Sequence, residues 1–272
     1  MPAASTPPDP SLVRALEGLM GPRGVVTSPE GRLTYECDMH TLYKGAPDVV
    51  VLPETAEQVA AAVRLCRERK VPIVPRGSGT GLIGGAMAPR GGVMISTTRM
   101  NRILEVDLPN RCAVVQPGLI NLWLSNATRP AGWFFAPDPS SQMVSSIGGN
   151  ASTNAGGPHC LKYGITVNHV LGLQVVTGAG ELVWLGGKVP ERPGYDLTGV
   201  MVGAEGTLGL LTAVVVRLTH VPEAVRTLLA SFSSIEDGSA TVSAIVAAGI
   251  IPAALEMIDE VVIKAIEEGV RS

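Results

Sequence analysis

Residues 75–85 read Pro75-Arg76-Gly77-Ser78-Gly79-Thr80-Gly81-Leu82-Ile83-Gly84-Gly85 and follow directly on a β-like run, Val71 to Val74. With Gly91 and Gly92, seven glycines fall between Gly77 and Gly92, ahead of a second β-like run at Val93 to Ser96. A turn needs one or two glycines. Seven, interleaved with the hydroxyls of Ser78 and Thr80, give a backbone able to set several N–H groups around one point, which is how a main chain holds an anion. Arg76 offers a cation to a phosphate. Gly79 to Gly84 also satisfies the G-x-G-x-x-G string of dinucleotide-binding Rossmann domains. That mechanism needs a helix opening at the glycines, and here Gly84-Gly85, Pro89 and Gly91-Gly92 intervene. An NAD-dependent Rossmann enzyme therefore ranks behind an open anion-binding loop.

Upstream of the loop, Val49 to Leu52 is a buried-strand run, and Thr55 to Gln58 has capping-box spacing that opens a helix reaching about Lys70. Its apolar stripe, Val59, Ala62, Val63 and Cys66, predicts packing on a sheet. The order is strand, helix, strand, glycine loop, strand. Before it, residues 1–46 form an arm with a helix over Leu12 to Met20 and no assigned function.

Downstream, strands are predicted at Ile103 to Asp107, Ala113 to Gln116, Val170 to Thr177, Leu182 to Leu185 and Leu210 to Leu218, with a helix over Ile120 to Ala131. The long segment from Ala136 to Gly157 reads as loop without helical or strand period. Beyond Pro222 the expected order is strand (Arg226 to Phe232), helix (Ile235 to Ala248), strand (Ala253 to Ile258) and helix (Glu260 to Glu268), half of a βαβ-type domain. Two strands alone leave exposed sheet edges, so the remainder of a second domain is expected to be missing.

The 272 residues suit one large or two ordinary domains, and 32 glycines with 21 prolines make about a fifth of the chain against roughly 12% in ordinary proteins. The excess belongs in loops. A net charge of −3 and 4% aromatic residues exclude nucleic acid as a partner, since there is neither a basic footprint nor a supply of stacking rings. Cys37, Cys66, Cys112 and Cys160 form no CxxC pair and read as buried reduced thiols. The four histidines, His40, His159, His169 and His220, include no pair at helical metal-site spacing, so no metal is assigned. Met1 to Pro10 lacks the charge and apolar core of a secretory signal, which gives a cytoplasmic expectation. The charge-free run Pro139 to Leu161 is too rich in Ser, Asn, Gly and Pro to span a bilayer. P-loop and G-x-S-x-G strings are absent.

Two further glycine loops complete the pattern. One runs from Pro137-Asp138-Pro139-Ser140-Ser141 through Ser146 to Gly157; the other, Gly203 to Gly209, carries one carboxylate, Glu205. Three such loops imply one large, multiply anionic ligand.

These strings, with Lys162-Tyr163-Gly164 and Gly194-Tyr195-Asp196-Leu197, resemble the FAD-binding domain of the vanillyl-alcohol oxidase or PCMH type, in the branch of glycolate oxidase FAD subunits and D-lactate dehydrogenases. The resemblance covers about Asp48 to Pro222. It implies an α+β, two-subdomain PCMH-type FAD-binding domain over residues 47–222, followed by the start of an α/β cap (substrate) domain over 223–272. FAD would lie between the subdomains. Carried onto this sequence, the cofactor-binding residues are Pro75, Arg76, Gly77, Ser78, Gly79, Thr80, Gly81, Gly84 and Gly85. The second group comprises Pro137, Asp138, Pro139, Ser140, Ser141, Ser146, Gly148, Gly149, Asn150, Ser152, Asn154, Ala155 and Gly156. Tyr163, Gly164, Glu205, Gly206 and Gly209 complete the set.

Relatives with covalent flavin often have histidine where Thr80 stands, so non-covalent FAD is expected. The chemistry implied is hydride transfer to flavin from a small D-2-hydroxy acid, glycolate or D-lactate. Relatives carry a histidine-rich metal and base motif after the cap, and no histidine follows His220. The resemblance therefore implies a chain truncated before its catalytic part, inactive alone, with no catalytic residue assigned. The alternative is a non-catalytic FAD-binding subunit of a glycolate oxidase-like complex, with an iron–sulfur or second flavin subunit as partner and peripheral membrane association through that partner.

Overall fold

The computed structural model describes residues 9–189 and 194–271. Helix α1 (Pro10–Met20) opens on an Asp9 cap, followed by β1 (Val25–Val26) and the short α2 (Pro29–Leu33). Next come β2 (Val49–Val51), α3 (Ala56–Glu68), β3 (Ile73–Arg76) and β4 (Val93–Ser96). In the first sheet they stand in the order β1-β2-β4-β3, with β2, β4 and β3 parallel and β1 antiparallel at the edge.

The capping box opening α3 is complete, with Thr55 accepting from Gln58 and the Gln58 side chain accepting from the Thr55 N–H. Val59, Ala62, Val63 and Cys66 are fully buried, with Leu12 and Leu16 of the arm in the same cluster. The arm thus belongs to the first lobe: α1 packs in its core and β1 extends its sheet. Irregular sequence hid this because a two-residue edge strand has no readable period.

The second lobe is antiparallel. Strands β5 (Ile103–Asp107) and β6 (Cys112–Val115) are followed by α4 (Asn121–Thr128), β7 (Trp133–Phe134), α5 (Ile147–Thr153) and α6 (Cys160–Tyr163). Then come β8 (Val170–Val176), β9 (Leu182–Gly186), α7 (Leu197–Met201), β10 (Leu210–Arg217) and β11 (Thr219–His220). The five-stranded order is β5-β6-β10-β8-β9, and β11 pairs with β7 in a separate ribbon. Seven of the eight β10 residues are buried, as its run of β-branched side chains requires. Val176 and Leu210 join the first lobe's cluster, so the lobes share apolar contacts.

Two expectations need correction. Residues 147–153, read as loop, form α5: Ser146 caps it by accepting from Gly149 N–H at 3.3 Å, and left-handed Asn154 ends it. Two glycines and three polar residues disguise this helix from a periodicity search. Beyond Pro222, α8 (Ile235–Ala247) and α9 (Glu260–Arg271) form as expected, but no strand forms at 226–232 or 253–258. A strand exists only by pairing, and among the described residues nothing pairs there; Leu228 and Leu229 stand almost wholly exposed.

Candidate functional site

The three glycine loops meet. In the first, Gly79 and Gly84 take φ of 73° and 77°, conformations that L side chains rarely adopt. A Cβ on Gly77 would lie 2.7 Å from Ser146 Oγ, at the cap of α5. The third loop is tied to α5 by Gly203 N–H to Ala151 O (2.9 Å) and Glu205 N–H to Ser152 O (2.8 Å). A Cβ on Gly206 would strike the Pro75 ring at 2.7 Å. These close approaches explain glycine at 77 and 206: the walls touch main chain to side chain.

Between them lies a cavity of about 430 Å³. Its walls include Pro75, Arg76, Gly77, Ser78, Gly79, Thr80, Gly81 and Gly85 from the first loop, with Ser141, Ser146, Gly148, Gly149, Asn150, Ser152, Asn154, Ala155 and Gly156 from the second. Glu205, Gly206 and Gly209 come from the third. The structure does not bring the remaining expected residues to these walls. Pro137 O accepts from Asn121 Nδ2 at 3.0 Å, and Pro139 O from Gln142 N–H at 2.7 Å in a turn that also carries Ser140. Asp138 faces His159, its Oδ2 3.0 Å from Nδ1 and its Oδ1 accepting from the His159 N–H. Burial pushes the Asp138 carboxyl up from its ordinary range. Tyr163 packs edge-on against Phe134 and His159, Gly164 caps α6 with φ 84°, and the Gly84 N–H is taken by Asp38.

Sequence reasoning missed Asp38, Leu82, Ile83, Ala86, Thr97, Pro117, Thr153, Leu210 and Leu211 on the walls. Leu82 and Ile83 lie inside the quoted loop and were legible by position. Asp38 carried no signal, because only the fold brings it there.

Arg76 differs from its expected role as a phosphate cation. It is buried, and its Nη1 donates to Ala86 O (2.9 Å) and its Nη2 to Cys37 O (2.9 Å), with its guanidinium 5.6 Å over the Tyr35 ring. Burial lowers its pKa from the ordinary arginine value. The side chain is a brace across the loop, and the positive end of the site is main chain. Among the described residues, no hydrogen bond takes the N–H groups of Ser78 through Ile83. Asn150 is buried on the wall with its Nδ2 donor unpartnered. Free donors in a cleft between two lobes suit a long ligand with phosphates and carbonyl acceptors.

The cysteines depart from expectation in part. All four are free; Cys66 and Cys112 are buried, with the Cys66 thiol pushed up to about 11 by burial, but Cys37 and Cys160 are half-exposed. His169 Nε2 donates to Tyr163 O (2.8 Å), and burial lowers its pKa.

A two-lobed cleft walled by glycine-rich main chain with free donors defines a binding protein for a long, phosphate-bearing ligand. The FAD binding domain family matches residues 47–186, and the C-terminal domain of FAD linked oxidases matches 221–271. The chain belongs to the FAD binding domain family, and its cofactor is FAD. It is 45% identical to the glycolate oxidase subunit GlcD of Bacillus subtilis over 249 residues, covering 91% of this chain and 53% of that one. It is 37% identical to a D-lactate dehydrogenase of Anaerostipes hadrus, covering 90% and 52%. Alkyldihydroxyacetonephosphate synthase superposes with a TM-score of 0.79 at 26% identity, over 92% of this chain and 48% of that one. p-Cresol methylhydroxylase shares the fold, with a TM-score of 0.69 at 23% identity over 79% and 44%. The chain spans about half the length of the curated relatives it matches. Among the described residues no helix is long and apolar enough to cross a membrane.

Proposed function

We propose that this chain supplies the FAD-holding half of an oxidase or dehydrogenase acting on a small D-2-hydroxy acid such as glycolate or D-lactate. The observation that carries the reading is the convergence of three sequence-distant glycine loops on one cleft, with free N–H groups at 78–83 and the orphaned Asn150 donor on its walls. The names of the relatives, glycolate oxidase subunit and D-lactate dehydrogenase, support the substrate class.

Bound in this cleft, FAD would supply hydride-accepting chemistry toward the substrate's α-carbon. This chain's residues bind and orient. The amides of the first loop would face the diphosphate, and Asn150 would meet an acceptor further along the cofactor. Thr80, standing where histidine would be needed for covalent attachment, supports dissociable FAD. No residue of this chain is assigned as the base for the hydroxyl proton or the cation for the carboxylate. A second reading, an FAD-binding subunit that works only with a partner chain carrying iron–sulfur or flavin, is favoured by the word subunit in the B. subtilis relative's name.

The purified chain mixed with FAD, freed of excess and examined by absorption spectroscopy, tests both. A flavin spectrum that persists when glycolate or D-lactate is added is the result expected of a FAD-holding half, and bleaching would show that the chain carries its own base and carboxylate cation. A colourless protein overturns the proposal.

A further inference from the structure

The FAD binding domain match begins at residue 47, and nothing in the sequence attaches a function to the segment before it. The structure lays residues 37–39 along the first glycine loop. The Cys37 carbonyl accepts from Arg76 Nη2 (2.9 Å), Asp38 Oδ2 accepts from Gly84 N–H (2.9 Å), and Met39 N–H donates to Gly81 O (3.1 Å). Asp38 is buried, 5% exposed, and stands on the cavity wall. Its second oxygen accepts from His40 N–H (2.8 Å), so two main-chain donors fix the carboxylate.

A loop this rich in glycine loses much backbone freedom when ordered. Its free amides form a ready cradle only if that ordering precedes the ligand. Charge sharpens the argument. A carboxylate on the wall of a cleft for a diphosphate repels the ligand, so a residue that merely filled space there would serve better as asparagine.

We propose that Asp38, acting through Gly84, is a positioning residue that holds the glycine loop in its cofactor-ready shape, with the Cys37 and Met39 main chains as its supports. The inference rests on the reading of this cleft as the FAD site. Asp38→Asn is nearly isosteric but cannot accept from Gly84 while keeping its bond to His40.

The test is an FAD titration of the full chain, wild type against Asp38→Asn, followed by flavin fluorescence, with the thermal midpoint and the amide exchange of residues 81–84 measured on each apoprotein. The expected result is affinity about tenfold weaker, an unchanged apo midpoint and faster exchange at the loop. Equal or tighter binding by Asp38→Asn would overturn the proposal, since removal of a like charge would then be its whole effect. Weaker binding matched by a lower apo midpoint would also overturn it, by showing a general structural role. Should the wild type take up no FAD, the cofactor reading fails, and the apo exchange rates alone decide whether Asp38 orders the loop.

Discussion

The two-lobed region up to residue 222 and the segment beyond it are built from comparable sequence, both with β-branched runs and amphipathic helices, yet they come out differently. In the lobes every predicted strand found a partner, and side chains such as Ile95, Leu173 and Val214 are fully buried. In residues 223–271 only helices formed, and Val225, Leu228, Leu229 and Val261 are exposed. A helix satisfies its own backbone, whereas a strand depends on another. The same local preference is therefore sufficient in one case and insufficient in the other.

The sharpest way to break this contrast is at the meeting of the loops. Gly79→Ala would place a Cβ 2.2 Å from the Arg76 guanidinium, at a φ of 73°. FAD affinity should fall by about a hundredfold, a loss of ~2.7 kcal/mol, read by fluorescence titration. Binding at wild-type strength would show that the loop is not preorganised.

A stability comparison comes next. Leu173→Ala in the second lobe's core should cost about 2–5 kcal/mol by denaturant unfolding, while Leu229→Ala should stay within about 0.5 kcal/mol. Similar losses at both sites would mean that residues beyond 222 are packed in solution.

Arg76 separates a brace from a charge. Arg76→Lys keeps the cation but loses the planar fork that reaches Ala86 O and Cys37 O. It should release FAD nearly as readily as Arg76→Ala, as measured by flavin retained after desalting; retention by the lysine variant would restore a direct role for charge.

The smallest expected effect is on pH. Burial depresses the folded-state pKa of His169. Its contribution to stability is therefore full above the unfolded value near 6.5 and is lost as pH falls from there toward the depressed folded value. The slope is at most about 1.4 kcal/mol per pH unit for one proton. His169→Gln should flatten the thermal midpoint between about pH 6.5 and 5, and an unaltered profile would assign the acid limb to other groups.

Much of the candidate site was legible because glycine strings report a backbone requirement directly: positions such as 77, 79 and 206 admit no Cβ where they sit. Helix α5 was not legible, since its cap, Ser146, precedes two glycines and no apolar stripe marks it. Pro137 to Ser140 were assigned to the cofactor with the rest of their loop. The structure instead pairs Pro137, Asp138 and Pro139 with Asn121, His159 and Gln142. Arg76 was read as a cation for phosphate from the loop and its family resemblance, and only its buried bonds to two carbonyls reveal the brace.

By itself the sequence determined the glycine loops, the α3 capping box and stripe, most strands of both lobes, and hence the FAD-binding family. Those features depend on the conformational freedom of single residues or on periodicity along one segment, and both are written locally. Tertiary structure alone decided that Asp38 stands on the cavity wall, that it takes the Gly84 N–H, and that the strands expected after Pro222 do not form. Each depends on which distant main-chain group lies within about 3 Å to pair with it, a quantity set by how the lobes close around one another.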